Sequence, residues 1–259
     1  RAVRVRAMTG AMKTRTHRAI APAIQYWGTP VVLVSTLGPG DVVNVAPMSS
    51  AWWLGWSCML GFDASSATVA NLKRERECVL NLASPDEADA VNALALTTGS
   101  AAVPLHKRLL GYRHEADKLG CAGLTPLPST AVRTPRVAEC PVQLEAVVAS
   151  IRPFARDDGR MAIPACAVEV RIVAVHVDET LLAASDRVDP DRWQPLLMSF
   201  RELYGRGARV TASRLATGSE AAYAPWKRGP VMRLAARALG AVAQYRHGVA
   251  EEGVADAAE

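Results

Sequence analysis

Two runs of β-branched and apolar residues, RVAECPVQLEAVVASIR (136–152) and AIPACAVEVRIVAVHV (162–177), flank a stretch dense in turn formers, ARDDGR. In the second run Glu169 and Arg171 alternate with Val168, Val170 and Ile172. That period of two gives one wet face and one buried face, as in a sheet strand and not a helix. A hairpin this long needs further strands beside it. PVVLVSTL (30–37) and VVNVA (42–46), joined by the turn-forming GPGD (38–41), predict a second hairpin, and WSCMLGF (56–62) and ECVLNLA (77–83) predict two more strands.

Helical signals are fewer and shorter. In ASSATVANLKRER the period changes, and Ser65 or Ser66 is a natural N-cap. SPDEADAVNALAL (84–96) starts with Ser at the N-cap, Pro at the first helical position and acids in the first turn. DPDRW (189–193) has the same signature and predicts a short helix. Residues 97–131 form a long excursion with one short helix near 104–110, and loops of that length in a compact domain are usually functional. Beyond about Ala224 an Ala- and Arg-rich stretch can be helical.

Many strands, few short helices and one insertion favour a closed or nearly closed, mostly β barrel over a parallel α/β sheet. No G-x-G-x-x-G turn is present, and G-R-G at 205–207 is too short to count, which argues against a dinucleotide-binding α/β domain. The organisation expected is a basic N-terminal arm (1–20), a barrel domain (21–220) and a partly helical C-terminal appendage (221–259).

Half of the 259 residues are apolar and 21% are charged, which suits a soluble globular protein. Six positive charges precede the first acid, Asp41; removing them from the formal net charge of +5 leaves about −1 for residues 19–259. The basic balance therefore reports a tail, and neither a nucleic-acid partner nor a membrane partner is expected. AMTGAMKT is too polar to follow the arm as a signal sequence, and no apolar run approaches the ~20 residues of a membrane span. Cys58, Cys78, Cys121, Cys140 and Cys166 are odd in number and never form a C-x-x-C pair, so free thiols and a cytoplasmic location are expected. The five histidines fall singly, without metal-ligand spacing, so no metal is expected.

Chemistry concentrates in two places. In NVAPMSSAWW (44–53) Pro47 has no backbone donor, so the strand leaves its ladder there or runs along an edge. Main-chain amides at 46–50 can then face a ligand, with Asn44, Ser49 and Ser50 as compact donors and Trp52 and Trp53 as pocket walls, barrel core or a subunit contact. The second place is Ser65, Ser66, Thr68 and Asn71, spread over the start of a helix, where free N–H groups bind phosphate readily. Simple capping accounts for one of these four residues.

Taken in order, VVLVSTL (31–37), NVAPMSS (44–50), S-x-T-x-x-N-L (66–72) and ECVLNL (77–82) resemble the flavin reductase-like, FMN-binding split-barrel family over about residues 25–210. The resemblance implies a six-stranded Greek-key barrel, a homodimer with flavin at the subunit junction, and electrons from NAD(P)H passed to a small-molecule substrate. FMN is the cofactor implied, with FAD as the alternative. The resemblance places Ser35, Thr36, Asn44, Ala46, Pro47, Met48, Ser49 and Ser50 beside the ring and ribityl chain, and Ser66, Thr68 and Asn71 nearest the phosphate. The segment containing Lys107 and Asp117-Lys118-Leu119 resembles the loop over the flavin face. Reductases of the family that feed reduced flavin to a partner monooxygenase carry a G-D-H motif, which this chain lacks. A reductase of that kind, or a non-catalytic flavin- or haem-binding barrel, stays as the alternative function. His106, His114 and Tyr204 are candidate proton donors, while Glu145 and Glu169 read as strand-face residues.

Overall fold

A computed structural model describes residues 16–161, 163–184, 187–205, 207–211 and 213. The arm before residue 16 and the helix expected beyond Ala224 lie outside the described residues.

Seven strands form the main sheet: β1 (Val32–Leu37), β2 (Val43–Met48), β3 (Ala51–Leu54), β4 (Ser57–Asp63), β5 (Glu77–Leu82), β6 (Val142–Phe154) and β7 (Ala165–Val177). All neighbours are antiparallel, in the order β2-β1-β5-β6-β7-β4-β3. The two edge strands, β2 and β3, are separated in sequence by only Ser49 and Ser50. The sheet must therefore curl until its edges meet, which makes it a split barrel. Gly61 on β4 donates its N–H to Ser50 O, and a side chain there would press on Ser50 Cβ at 3.1 Å. The bend between the edge strands thus packs against bare backbone.

The strand count exceeds the six expected because Ser49 and Ser50 interrupt the run from Val43 to Leu54. β3 itself was not anticipated as a strand, and a two-residue turn containing Gly55, at φ +60°, returns it to β4. The predicted long run at 136–152 is also divided. Arg136–Val137 pairs with Pro126–Leu127, and β6 starts only after Pro141.

The alternation of β7 appears as predicted: Cys166, Val168, Val170 and Ile172 are buried, while Arg171, Val173 and Val175 are exposed. The barrel interior contains Val34, Leu60, Leu80, Ala146 and Val168. β1 is buried at every position because both its faces are covered. Its outer face, Leu33 with Val31 and Val45 of neighbouring backbone, packs against Val91, Leu94 and Leu124 in a second apolar layer.

Helix α1 (Ala67–Glu75) crosses from β4 to β5 and buries Thr68, Val69, Asn71 and Leu72, the i, i+1, i+3, i+4 stripe of an amphipathic helix. Ser66 Oγ accepts from Val69 N at 3.2 Å as its N-cap, and Arg76 closes it in the left-handed region at φ +61°. Ser84 and Glu87 form the capping box that leads into α2 (Ala88–Leu94). Within the 97–131 excursion lie α3 (Leu105–Leu109), close to the helix expected there, and α4 (Lys118–Ala122), which was not anticipated. DPDRW forms a single turn closed by Trp193 N donating to Asp189 O, not a helix. Pro195 follows two residues on and denies the next turn its donor and its backbone conformation. No described helix is long and apolar enough to cross a membrane.

Candidate functional site

Four of the polar residues predicted from the motifs meet where α1 covers one end of the barrel. Asn44 on β2 donates from Nδ2 to Thr36 Oγ1 on β1 (3.3 Å) and to Thr68 Oγ1 on α1 (3.2 Å), and Asn71 Nδ2 donates to the same Thr36 oxygen at 3.0 Å. All four side chains are buried. Arg74 fastens the far side, donating to Leu37 O at 2.6 Å and to Asn71 Oδ1 at 3.2 Å. Residues 36, 44, 68 and 71 come from three elements, so simple helix capping does not account for them. It does account for Ser66.

Ser35 points to the opposite face of β1. It accepts from Asn81 Nδ2 at 2.9 Å, and the same amide donates to Leu33 O and accepts from Val137 N. Asn81, the Asn of the ECVLNL motif, is fully buried and ties β1, β5 and the strand at Arg136–Val137 together. Ala46, Pro47 and Met48 continue β2 as an edge strand to its end, with Ser49 and Ser50 at the bend. Pro47 therefore sits on an edge, one of the two placements its missing donor allows. Among the described residues, one side of β2 carries main-chain groups with no strand partner. Trp52 is exposed at the rim, whereas Trp53 packs against the barrel interior, its Nε1 lacking a hydrogen-bond partner among the described residues.

The excursion after α2 closes over this cluster. Gly99 runs so near β2 that a Cβ there would overlap Asn44 Oδ1 and touch Ala67 Cβ at 3.4 Å. A side chain at this position would displace the Asn44 amide. Nearby, Asp63 at the end of β4 accepts from Ser65 N (2.8 Å) and Ser65 Oγ (2.7 Å), with His106 Nε2 at 2.9 Å and Lys107 Nζ at 3.4 Å. Burial would raise the Asp63 pKa, but these hydrogen bonds and the Lys107 charge outweigh it and hold the carboxyl down at about 2. His106 is thus partnered, not merely solvated, while His114 and Tyr204 are exposed.

Lys118, in the stretch read as a loop over the flavin face, is the residue that sequence reasoning underweighted. It is only 2% exposed. Its ammonium donates to Thr97 Oγ1, whose own proton goes to Leu94 O at 2.6 Å. Among the described residues no carboxylate pairs with it, and burial pushes it down to about 8. Lys107, the cation predicted for the site, is also buried but already bound to Asp63. The caps of α4, Asp117 Oδ1 accepting from Gly120 N and Gly123 in the left-handed region, were the available signal for this element.

Glu145 lies on a strand face, as expected, and that face is covered. It is fully buried, and its carboxylate accepts from Thr130 N, Ala131 N and Val132 N, with His176 Nε2 at 2.6 Å. The segment before β6 folds back over the strand and covers this residue. Glu169 stays half-buried and accepts from Ser150 Oγ.

A family model described as a flavin reductase like domain matches residues 25–206. The chain belongs to the flavin reductase-like family. The flavin reductase-like chain is 36% identical over 197 residues to the uncharacterized protein YdfE of Bacillus subtilis (strain 168), covering 76% of this chain and 93% of that one. Its fold resembles flavoredoxin of Desulfovibrio vulgaris (Miyazaki F), with a TM-score of 0.62, 18% identity, and coverage of 78% of this chain and 100% of the other. It also resembles nitrilotriacetate monooxygenase component B from Bacillus cereus, with a TM-score of 0.60, 20% identity, and coverage of 77% and 100%. Family membership supports a flavin-binding oxidoreductase.

The residues present suit such a cofactor. Neutral amide and hydroxyl donors line the barrel end, β2 offers an edge, Gly99 leaves no side chain in the way, and Lys118 holds a buried charge with no ion-pair partner among the described residues, which an anionic group would satisfy.

Proposed function

We propose that this chain is an FMN-dependent oxidoreductase that works as a homodimer, holds flavin at the junction between copies, and reduces a small molecule with electrons drawn from NAD(P)H. The observation that carries the reading is the seam of Thr36, Asn44, Thr68 and Asn71 beside the open edge of β2, in a chain of this family.

A bound flavin supplies the hydride and electron chemistry, so the protein needs no acid–base pair of its own. What its residues do is bind and orient. Ala46, Pro47, Met48, Ser49 and Ser50 present main-chain and hydroxyl groups along the edge to the ring. Asn44 and Thr36 are fixed by their mutual hydrogen bond, and Ser66, Thr68 and Asn71 mark the phosphate end at the start of α1. Lys118, which forms no ion pair among the described residues, contributes the cationic group, with Lys107 held beside Asp63 as its neighbour.

The deciding experiment is the absorption spectrum of the purified protein with and without added FMN, followed by anaerobic NADH or NADPH. Yellow protein bleached by a nicotinamide donor supports the reading; protein that takes up neither FMN nor FAD sinks it. Thr68→Val with Asn71→Ala is expected to weaken FMN far more than riboflavin, and equal weakening would refute the phosphate assignment. Release of reduced flavin to solution during turnover would shift the role to supplying a monooxygenase partner. Bound flavin that no nicotinamide donor bleaches would favour a binding protein or a dedicated electron donor.

A further inference from the structure

Away from the seam, the far half of the β6–β7 hairpin and the outer side of α1 enclose a groove of about 630 Å³. Its walls include Phe154, Met161 and Ile163, and its rim carries Lys73 from α1 with Arg152 and Arg156 from the hairpin. None of Thr36, Asn44, Thr68 or Asn71 lines it. Two features separate it from an ordinary surface crease.

The first is charge. Three cations line the groove and no carboxylate does, and among the described residues the side chains of Lys73, Arg152 and Arg156 make no ion pair or hydrogen bond. In the hairpin turn Asp158 is committed to Arg160. A second groove on the molecule carries charges of both signs instead, with Asp86, Asp178 and Arg192 among its lining residues. The second feature is apolar surface left open at the same place: Phe154 is 56% exposed and Met161 42%. Arginine and methionine side chains both pack well on aromatic faces, and guanidinium groups bind anionic oxygens through paired donors.

We infer that this groove binds a small aromatic anion, a planar ring system lying on Phe154 and Met161 with its acidic group held by Arg152, Arg156 and Lys73. Aromatic carboxylates and the adenosine diphosphate portion of a dinucleotide share this chemistry. The inferred site is separate from the seam proposed for flavin, and it rests on none of that seam's residues.

The test uses the full chain and 8-anilinonaphthalene-1-sulfonate as a fluorescent probe, with ADP and 2-naphthoate as competitors. The expected result is one probe site per chain that saturating FMN does not displace and that weakens as salt is raised. Arg152→Glu with Arg156→Glu should weaken the probe at least tenfold while the circular dichroism spectrum stays unchanged. Lys73→Glu, on a different element, should weaken it independently should the hairpin variant misfold. Displacement by ADP identifies a nucleotide site and displacement by 2-naphthoate an aromatic-acid site, and either supports the inference. It is overturned by charge-reversal variants within twofold of the parent, by displacement with FMN, or by a probe that neither competitor displaces. It is also overturned should sedimentation show self-association that the charge reversals abolish, which would make the groove a contact between copies.

Discussion

Gly99 lies against the side chain of Asn44, with no room between them for a methyl group. Asn44 is the hub of the seam because its one amide nitrogen serves both Thr36 and Thr68. Gly99→Ala must push this amide away from one hydroxyl or the other, and each lost bond is worth about 1 kcal/mol. The expected outcome is flavin affinity reduced about tenfold, with a small loss of thermal stability. On an Asn44→Ala background the same substitution should add little, because the clash is gone. Full additivity in a flavin titration of the double variant would separate Gly99 from the seam.

Lys118 stores a penalty that a ligand would relieve. Burial brings its ammonium from 10.5 to about 8, so between those values the folded chain binds fewer protons than the unfolded chain. Stability then rises with pH across that window, and the cost is fully present below about pH 8, at roughly 3 kcal/mol. Lys118→Met keeps the apolar stem and removes the charge. It should raise the melting temperature at pH 7 without flavin, with the gain fading towards pH 10.5, and weaken FMN more than riboflavin. A variant less stable than the parent at pH 7 would contradict this account.

The contrast between Lys118 and β7 shows where sequence carries its information. The alternation in β7 was legible because one face of that strand meets water, and the seam was legible because its four residues sit within short motifs. β3 escaped notice because four residues containing two tryptophans give no clear period; only Gly55, whose φ is +60°, marks the hairpin that defines it. The burial of Lys118 is set by the docking of residues 97–124 beside α2, a long-range event that no local window reports. The burial of Glu145 is unreported by its strand position for the same reason, since its cover comes from a loop 13 to 15 residues earlier in the chain.

Glu145 should act as an acid-sensitive staple. Burial alone would raise its pKa, but the N–H groups of Thr130 and Ala131, the His176 ring and the Thr130 hydroxyl outweigh that and hold it down at about 2. A carboxyl with a depressed folded pKa contributes stability above its ordinary value of 4.5, lost as pH falls towards 2. Glu145→Gln should cost roughly 2–3 kcal/mol at pH 7, because three N–H donors then face a weaker acceptor inside the fold. Hydrogen exchange at Ala131 and Val132 should accelerate in the variant, and the difference in stability between parent and variant should narrow below pH 4. Unchanged exchange at both amides would show that the loop is held by something else, with Glu77, which accepts from Arg133 N and Thr134 N, as the first candidate.

Asn81 provides a test of why the ECVLNL motif ends in an amide. Its Nδ2 must donate to Leu33 O and Ser35 Oγ while its Oδ1 accepts from Val137 N, and the side chain is fully buried. Asp fits the same space but, when ionised, can only accept. Asn81→Asp therefore sets a buried negative charge against a carbonyl, costing about 3 kcal/mol or more at neutral pH. Burial raises the pKa of the new acid, so its proton returns as pH falls and restores a donor. Stability of this variant relative to the parent should then recover between pH 7 and 5, the reverse of the Glu145 dependence. Asn81→Leu, which carries no titratable group, should be destabilised equally at both pH values. Denaturant midpoints for the three proteins across that range distinguish the outcomes, and an Asp variant whose deficit does not change with pH would refute the donor requirement.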